Sequence, residues 1–560
     1  MGLGKSKQTN ALQFLEDKTS DYSERVALGI KNRWGWSEFT YSGLGMLSRK
    51  IGYYLINDLE LSKGEKLAIL SESMPEYGAC VFGSVLAGLV TVPLDIKLTE
   101  YELQSILSDC QPTVLMVSKA LVDKAEKLQQ MVPSIKKILL MNEPSCNDIY
   151  TSIHMLPEHY NCKWRHRSSA STALIIYTSG TTGAPKGVEI TFKNIFAQLS
   201  GVEKALNVIL GDKKISVLSI LPMNHLFEMT VGFSIFLSLG FSIFYAKSLK
   251  PKDILSIMRE KRVEFMIVVP AFLKLLKTGI ETELAASPKI VQIMFKTMFN
   301  LAKFIPFYSV KKAMFKKIHD KFGGHFMGCI SGGAPLDVEV GKFFETIGIK
   351  VYQGYGLSET SPVVSVNYDK RHDIASVGRP LPGFEARIDK ETGELQLRGD
   401  SIMKGYHNQP EMTAEVIDED GWLHTGDIAK ITSDGHIYIT GRIKNMIVLN
   451  GGKKVFPEEV EAVLEKSPLF AEVCVLGVTR SFGAKDGTEE VAAVVVPRED
   501  FMAKHDWETV DQMVKEEVKK LSLQLTQYKR PSNITVHKEP LPKTTTRKIK
   551  RKEVKGLVKA

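Results

Sequence analysis

A loop rich in glycine and hydroxyl side chains is the segment best suited to chemistry. It runs from Tyr177 to Gly187 (YTSGTTGAPKG) and follows the apolar run ALIIYT, which predicts a strand. Such a loop can offer backbone N–H groups and hydroxyls to phosphate oxygens while a lysine adds positive charge. The spacing is not that of the GxxxxGK[ST] loop. A flexible surface turn is the alternative. We expect a phosphate-binding loop with the following contacts: Thr178, Ser179, Gly180, Thr181, Thr182, Gly183 and Lys186.

This loop resembles the [ST]SG[ST]TGxPKG motif of the adenylate-forming family, which includes acyl-CoA synthetases, luciferases and the adenylation domains of peptide synthetases. Further motifs of that family follow in the family's order, and the resemblance extends from about Trp36 to Val554. It implies an enzyme that uses ATP and Mg²⁺ to activate a carboxylic acid as an acyl-adenylate and passes the acyl group to a thiol such as that of coenzyme A.

The second matching segment is YQGYGLSET, Tyr352 to Thr360, which is preceded by SGGAPLD. The resemblance implies that Tyr355 stacks on adenine, Ser358 contacts phosphate and Glu359 holds the magnesium ion. A carboxylate near a triphosphate requires a cation between them, and Mg²⁺ is commonly held by few carboxylates plus substrate phosphates. Standing alone, the motif could be a helix start capped by Ser358. Neighbouring candidate nucleotide contacts are Gly332, Gly333, Ala334, Gly354 and Gly356.

The third match consists of GWLHTGDIA and GHIYITGRIKN, residues 421–429 and 435–445. The resemblance implies that Asp427 accepts hydrogen bonds from the ribose hydroxyls and that Arg442 joins it there. A carboxylate acceptor suits a vicinal diol, although an isolated TGD could be a turn with a local cap. Lys444 occupies the family's hinge position. Asn445 stands where the family often has aspartate.

The last match is LPKTTTRKIKRKEV, Leu541 to Val554. Lys548 corresponds to the lysine of the family's GKI motif, and the resemblance implies that it contacts the acid and the bridging oxygen during adenylation. A positive charge there would stabilise the charge that develops on the α-phosphoryl group. Arg547 replaces the usual glycine. We interpret the neighbours as a solvated basic tail: Lys550, Arg551 and Lys552.

The segment LPMNHLFEMT, residues 221–230, resembles the family motif that gates the acyl pocket and positions the carboxylate. His225 is therefore a candidate catalytic residue, and Glu228 is a weaker one. A structural histidine at a strand-to-helix turn is the alternative. The apolar residues that follow could line the pocket or pack in the core.

The order of apolar runs predicts an α/β fold with a large N-terminal domain and a small mobile C-terminal one. Between Lys66 and Tyr355, short β-branched or apolar runs alternate with helical patterns, which indicates parallel sheets covered by helices. From about Ser361 the spacing of turn residues predicts a β-rich subdomain. We place the domains at 1–441 and 442–560, the second being a compact α+β unit that begins near a hinge.

The composition and the spacing of the cysteines argue against several classes of protein. With 560 residues, 44% hydrophobic and 24% charged, the chain is long enough for at least two folded domains. Six scattered cysteines without CxxC spacing argue against zinc and fit a reducing compartment. The longest apolar stretch, Val231 to Ala246, is too short to span a bilayer. We expect a cytoplasmic protein without a secretory signal or transmembrane segment, and without nucleic-acid partners, because no supporting motif accompanies the net charge of +9.

Two features favour a long acyl chain. GGKKVFPEEVE, residues 451–461, resembles the form found in long-chain synthetases. Residues 288–322 combine Phe, Met and Ile with eight lysines and one acidic residue, Asp320. A basic amphipathic helix is typical of a membrane surface element, and an ordinary helix pair with solvated lysines is the equal alternative. Peripheral contact at the inner face of an anionic membrane therefore stays open.

We predict a long-chain fatty acid–CoA ligase that forms acyl-AMP and then acyl-CoA, AMP and pyrophosphate. The acceptor could instead be acyl carrier protein, or the enzyme could stop at acyl-AMP. A non-catalytic ligand-binding relative is a further alternative, against which stands the joint presence of five residues: Lys186, Glu359, Asp427, Arg442 and Lys548.

Overall fold

The computed structural model of the protein describes residues 11–143, 150–160, 162–178, 185–211, 213–368, 372–449, 453–479, 489–543 and 549–558. The chain forms two compact units, Met1–Glu385 with Arg398–Leu423 and Ala386–Leu397 with His424–Ala560. Residues 386–397 and 424–441 thus pack with the C-terminal unit, whereas the sequence places the boundary at 441/442. The position at which the chain rotates during catalysis stays a prediction.

The strands of the first unit, in chain order, are β1 (Val26–Asn32), β2 (Gly35–Thr40), β3 (Lys66–Leu70), β4 (Val90–Pro93), β5 (Val114–Val117), β6 (Lys137–Leu140), β7 (Thr151–Ser152), β8 (Thr172–Thr178), β9 (Lys186–Thr191), β10 (Ser216–Ser219), β11 (Ser242–Tyr245), β12 (Phe265–Val268), β13 (Gly328–Ser331), β14 (Lys350–Tyr355), β15 (Ser365–Val366) and β16 (Arg379–Pro380). The remaining strands are β17 (Phe384–Ile388), β18 (Glu394–Gly399), β19 (Gly405–Tyr406), β20 (Leu423–Ile431), β21 (Ile437–Arg442), β22 (Ile447–Val448), β23 (Lys454–Val455), β24 (Phe470–Thr479), β25 (Glu489–Pro497) and β26 (Asn533–Val536).

The α-helices are α1 (Ala11–Asp21), α2 (Tyr41–Tyr53), α3 (Pro75–Leu86), α4 (Glu100–Cys110), α5 (Val122–Met131), α6 (Phe192–Leu210), α7 (Phe236–Ser238), α8 (Pro251–Glu260), α9 (Pro270–Ala285), α10 (Lys289–Ala302), α11 (Tyr308–Met314), α12 (Lys316–Lys321), α13 (Val338–Thr346), α14 (Pro410–Ala414), α15 (Pro457–Leu464), α16 (Glu499–Met502), α17 (Trp507–Ser522) and α18 (Arg551–Lys555). Two π-helical segments are Tyr54–Asp58 and Glu228–Ile235, and single 3₁₀ turns are Lys119–Leu121, Ile153–Met155, Ser358–Thr360, Ile443–Asn445 and Gln527–Lys529.

Two large sheets organise the first unit. Within the described residues, one has nine strands in the order β16-β15-β14-β13-β12-β10-β11-β1-β2, and the other has eight in the order β19-β9-β8-β4-β3-β5-β6-β7. Their centres are parallel, as the pairs β12–β13, β13–β14 and β3–β4 show. This arrangement confirms the predicted α/β class with parallel sheets.

Successive side chains of the central strands face different cores. In β10, Val217 belongs to a cluster that both large sheets share, and Leu218 belongs to a cluster on the opposite face. In β3, Leu67 joins the shared cluster and Ala68 joins a third one. Strands covered by helices on both faces require near-continuous apolar runs, which explains why these segments are recognisable in the sequence.

The second unit is smaller and is built around short sheets. The order β17-β18-β20-β21 describes one of them, with β20 and β21 antiparallel, and the order β24-β25-β26 describes another. Helices α15 and α17 pack with the latter sheet on a valine-rich core. Helices and strands alternate here, as expected for an α+β unit.

Candidate functional site

Two glycine-containing turns meet at the carboxyl ends of neighbouring strands. Gly332 and Gly333 follow β13, and Gly354, Tyr355 and Gly356 end β14, which runs parallel beside it. All five residues line one cavity of about 60 Å³. Ligands of open α/β sheets bind at this edge because the strand ends and their loops converge there. The remaining lining residues are apolar: Val202, Phe227, Val231, Ile330, Pro362, Val363 and Val366.

Backbone geometry explains glycine at two of these positions. A Cβ on Gly356 would lie 1.8 Å from the carbonyl oxygen of Pro362, so any side chain would displace the turn. Gly333 has a φ of +81°, a conformation that L side chains rarely adopt. The two predicted glycines therefore shape the cavity wall. Ala334 follows Gly333, and neither Ala334 nor Ser358 is among the residues that line the cavity.

The turn that carries Glu359 is fixed by side-chain hydrogen bonds. The backbone N–H of Leu357 donates to Thr360 Oγ1 at 2.8 Å. The buried amide of Gln198, on α6, donates to the carbonyl oxygen of Thr360 at 3.1 Å and to that of Val363 at 2.8 Å. These bonds close the turn and attach the segment that follows Glu359 to α6, so the Glu359 backbone has a defined position.

Tyr406 joins Glu359 to Lys186. The Tyr406 hydroxyl donates to Glu359 Oε1 at 2.9 Å, and Lys186 Nζ lies 5.0 Å from the centroid of the tyrosine ring. Burial, and then the charge of Glu359, raise the pKa of Tyr406, so the hydroxyl keeps its proton and acts as a donor. The predicted phosphate-binding lysine and the predicted magnesium ligand thus both contact one tyrosine, the lysine at its ring and the carboxylate at its hydroxyl.

Sequence reasoning missed Tyr406. It lies within the region that resembles the family, in SIMKGYHNQP, but its partners are 47 and 220 positions away. Its only local signal is a glycine followed by an aromatic residue, which is common in many folds. The contact depends on strand pairing that no local pattern shows.

A polar network holds the Tyr406 strand against the phosphate-loop strand. Tyr406 of β19 is the register partner of Val188 of β9. Beside it, Glu189 accepts from His407 Nδ1 at 2.6 Å and pairs with Lys404 Nζ at 2.9 Å. The hydrogen bond from His407, with smaller effects from Lys404 and Thr172, lowers the pKa of Glu189 to about 2. The carboxylate stays charged and keeps the two strands in register.

The predicted phosphate loop is described only at its two ends. Thr178 ends β8, Lys186 begins β9, and the two are register partners in the antiparallel pair. The other predicted contacts of the loop lie outside the described residues: Ser179, Gly180, Thr181, Thr182 and Gly183. Their roles stay predictions.

His225 and Glu228 differ sharply in environment. His225 is half-buried at the start of a helical turn, two positions before Phe227 of the cavity wall. Glu228 is fully buried and accepts from Ser219 Oγ at 2.5 Å. Burial raises the pKa of Glu228 to about 8, so this carboxyl is mostly protonated at neutral pH. Glu228 is a group of the core, and the role of His225 stays a prediction.

The predicted ribose-binding pair lies in the second unit. Asp427 of β20 and Arg442 of β21 are register partners, with Arg442 Nε 2.5 Å from Asp427 Oδ1 and Nη2 3.4 Å from Oδ2. Asp427 is 3% exposed, and its backbone N–H donates to Thr425 Oγ1 at 3.1 Å. A carboxylate acceptor suits a vicinal diol, and the ribose-binding role of this pair stays a prediction.

The predicted hinge region explains one departure from the family pattern. Lys444 is exposed in the 3₁₀ turn that follows β21. Its neighbour Asn445 donates through Nδ2 to Glu458 Oε1 at 2.7 Å. An aspartate at 445 would place two carboxylates together, which is unfavourable. The amide therefore suits the local partner, and the hinge role of Lys444 stays a prediction.

The basic C-terminal segment is more ordered than the sequence suggests. Arg551 pairs through Nη1 and Nη2 with the two carboxylate oxygens of Glu461, each at 2.6 Å. The prediction of Arg551 as a solvated charge is therefore wrong, because a bidentate guanidinium pair requires fixed geometry. Lys543 pairs with Glu472 at 2.5 Å and forms an isolated antiparallel bridge with Ile549. Lys548 lies outside the described residues.

These residues fit magnesium and a nucleotide. A half-buried carboxylate with one oxygen held by a tyrosine leaves acceptor positions for a cation, and one such carboxylate plus phosphates is a common Mg²⁺ arrangement. Lys186, over the ring of the same tyrosine, offers the positive charge that a phosphate requires. Glycine-lined strand ends beside this pair are typical of nucleotide-binding α/β enzymes.

The chain belongs to the AMP-binding enzyme family. The model of AMP-binding enzymes matches residues 15–407, and the model of the C-terminal domain of these enzymes matches residues 459–548. This is the adenylate-forming family that includes acyl-CoA ligases, whose members act on different acids. A relative from Bacillus subtilis strain 168, a long-chain-fatty-acid–CoA ligase, is 30% identical over 533 residues, which cover 88% of this chain and 86% of the relative.

Solved structures agree with this assignment. ATP-bound MatB from Rhodopseudomonas palustris is 25% identical, covers 98% of both chains and superposes with a TM-score of 0.76. The o-succinylbenzoate coenzyme A synthetase MenE from Bacillus subtilis, in complex with ATP and magnesium ion, is 22% identical and has a TM-score of 0.75, with 97% of this chain and 99% of that chain covered. The latter likeness concerns the fold. In the part of this chain that the structure describes, no helix is long and apolar enough to cross a membrane.

Proposed function

We propose that this enzyme uses Mg-ATP to convert a long-chain fatty acid into its acyl-adenylate and then transfers the acyl group to coenzyme A. The observation that carries the proposal is the grouping of Lys186 and Glu359 around Tyr406, in the same unit as an apolar cavity lined by the two glycine turns. The identity to the Bacillus subtilis long-chain ligase supports the choice of acid.

The first step joins the acid to AMP. A carboxylate oxygen of the acid attacks the α-phosphorus of ATP, the bond to the bridging oxygen breaks, and pyrophosphate leaves. Lys186 would stabilise negative charge on the phosphates, and Glu359, held by Tyr406, would keep its carboxylate aimed at the metal. Bound Mg²⁺ supplies charge neutralisation on the phosphate oxygens. Lys548 would contact the reacting oxygens, as the resemblance implies.

The second step transfers the acyl group to a thiol. The sulfur attacks the acyl carbonyl, the bond to AMP breaks, and AMP leaves, because a phosphate is a far better leaving group than oxide. Asp427 and Arg442 would hold the ribose, while rotation about Lys444 would withdraw Lys548 and admit the thiol. His225 would lie near the entrance of the cavity, because Phe227, two positions later in the chain, lines the cavity wall.

The cavity favours an apolar acid. Its twelve lining residues are glycine, apolar side chains and Tyr355. A second carboxylate or an amine on the acid would lose hydration there without a charged partner in the lining. The volume of about 60 Å³ corresponds to roughly two water molecules. A long chain therefore requires the wall to yield, and Phe227 is a large apolar side chain in that wall.

Pyrophosphate release by the purified protein tests the proposal. Mg-ATP is supplied with acids from acetate to oleate, with and without coenzyme A, and acyl-CoA is measured in parallel. Release that depends on a long-chain acid and yields its acyl-CoA supports the proposal. Acid-dependent release without acyl-CoA would indicate acyl carrier protein as acceptor or an acyl-AMP ligase. No release with any acid would refute the proposed substrate class and favour a non-catalytic relative.

A further inference from the structure

Helix α10 and the segment after it expose large apolar side chains to solvent. Among the described residues, eighteen large hydrophobic side chains are exposed, and seven of them fall within positions 290–310. Their exposure ranges from 44% to 87%. A cluster of exposed large apolar side chains normally marks an interaction surface. We define the α10 apolar face as Ile290, Ile293, Met294, Leu301, Phe304, Phe307 and Val310.

The orientation of α10 is set by its other side. Phe295 packs against Phe315 at a ring separation of 5.5 Å, and Phe299 packs against Phe343 at the same separation. The helix therefore has an inner aromatic anchor and cannot turn its outer face inward without losing it. Within α10, the exposed residues recur three, four and eleven positions after Ile290, which places them on one stripe of the helix.

Lysines border this stripe. Lys289, Lys296 and Lys303 recur every seven residues, so they form a row beside the apolar face. Within the described ranges, none of the three forms an ion pair; Lys303 donates to Asn300 Oδ1 at 3.3 Å and its Nζ lies 5.3 Å from the centroid of the Phe299 ring. Lys311 is different, because it is buried and donates to the carbonyl oxygen of Glu345. The row supplies free positive charge beside apolar surface.

We propose that the α10 apolar face docks this protein onto an anionic lipid bilayer. Apolar side chains enter the headgroup boundary while the flanking lysines meet lipid phosphates, which is how interfacial helices bind. Docking does not rest on the proposed substrate. It would, however, place an acyl-CoA ligase at the lipid bilayer, in which long-chain fatty acids dissolve.

Charge excludes a second copy of the chain as the occupant. Residues 288–322 contain eight lysines and one acidic residue. A two-fold dimer through this face would bring the same positive patch from each subunit together, because the same residues meet in such an interface. Like charges at that distance oppose association. An anionic bilayer attracts the same lysines instead. A bilayer surface also does not need a shape complementary to the α10 apolar face.

Sedimentation with sucrose-loaded vesicles tests the proposal, in the absence of ATP and acid. Full-length protein is mixed with vesicles of phosphatidylglycerol and phosphatidylcholine, or of phosphatidylcholine alone. Each lysine near an anionic surface contributes roughly fivefold to binding, so charge reversal of three should weaken retention on the anionic vesicles by at least roughly a hundredfold. The charge variant combines Lys289→Glu, Lys296→Glu and Lys303→Glu, and the apolar variant combines Ile290→Ser, Ile293→Ser and Leu301→Ser.

Matched variants control for net charge and for exposed apolar area elsewhere. The charge control combines Lys63→Glu, Lys97→Glu and Lys504→Glu, all at exposed positions. The apolar control combines Trp34→Ser, Val208→Ser and Leu523→Ser, which are 83%, 67% and 67% exposed. Both controls should bind anionic vesicles like the unmodified protein. Thermal melting and acid-dependent pyrophosphate release with detergent-dispersed acid should be equal in all five proteins.

Three results would overturn the proposal. The first is failure of the unmodified protein to bind anionic vesicles. The second is retention that survives in either α10 variant. The third is a dimer, seen by analytical ultracentrifugation, that the apolar variant dissociates, since the face would then be covered by a second copy. Failure of the unmodified protein to release pyrophosphate with any acid would instead count against the proposed function. Failure of the docking proposal and failure of the proposed function are therefore distinguishable.

Discussion

Replacing Tyr406 by phenylalanine separates its hydroxyl from its ring. The variant loses the 2.9 Å hydrogen bond to Glu359 Oε1 but keeps the ring beneath Lys186 Nζ. A hydrogen bond to a charged group contributes roughly 1.5 to 3 kcal/mol. If the bond persists in the reacting complex, kcat/KM for acyl-adenylate formation should fall roughly 10- to 100-fold.

The dependence of activity on Mg²⁺ concentration tests whether Tyr406 positions the Glu359 carboxylate. Without its tyrosine, the Glu359 carboxylate can rotate away from the metal, so half-maximal activity should require more Mg²⁺. Pyrophosphate release is measured across Mg²⁺ concentrations at saturating ATP and acid. Acyl transfer from preformed acyl-adenylate to coenzyme A, which does not use this metal, should change much less.

The matched control is Tyr101→Phe, because Tyr101 is 79% exposed and its hydroxyl faces solvent. That variant should behave as the unmodified enzyme. Unchanged kinetics and Mg²⁺ dependence in Tyr406→Phe would refute the reasoning. An equal loss in both half-reactions, accompanied by a lower melting temperature, would show that Tyr406 acts only on stability.

Three further changes have definite expected outcomes. Burial raises the folded-state pKa of Glu228 from its ordinary value of about 4.5 to about 8, so native stability should fall as pH rises through this window, by at most about 1.4 kcal/mol per pH unit. Glu228→Gln should therefore raise the melting temperature at pH 8.5 but not at pH 4.5, and equal shifts at both values would contradict the burial argument. Val231→Phe fills the cavity and should lower kcat/KM for oleate more than for acetate; a uniform loss would place the acyl chain elsewhere. Lys548→Ala should abolish most adenylation yet spare thiol transfer from preformed acyl-adenylate, and an equal effect on both steps would argue against its proposed role.

Parts of the fold that depend on local pattern could be predicted from the sequence. Strands such as β5 and β8 are continuous apolar runs because both of their faces are buried, and the turn after β14 carries a recognisable motif. The pair Asp427 and Arg442 was expected from motifs alone, and antiparallel pairing of β20 and β21 brings the two together.

Contacts between distant segments could not be predicted in this way. Tyr406 reaches Glu359 only because β19 pairs with β9, and nothing in its neighbours specifies that pairing. The partner of Arg551 is 90 positions away, so a charge that resembled a solvated tail proved to be an ion pair. Residues 288–322 were expected to be amphipathic, but the structure was needed to show which apolar side chains face solvent and that Lys311 does not.

The residues on either side of 544–548 are anchored within the second unit. Lys543 pairs with Glu472, Ile549 forms a bridge with Lys543, and Arg551 pairs with Glu461. If Lys548 acts in adenylation as proposed, movement of the second unit as a whole would deliver it. Solvent viscosity should then limit the rate of adenylation, because a large body diffuses slowly in a viscous solvent.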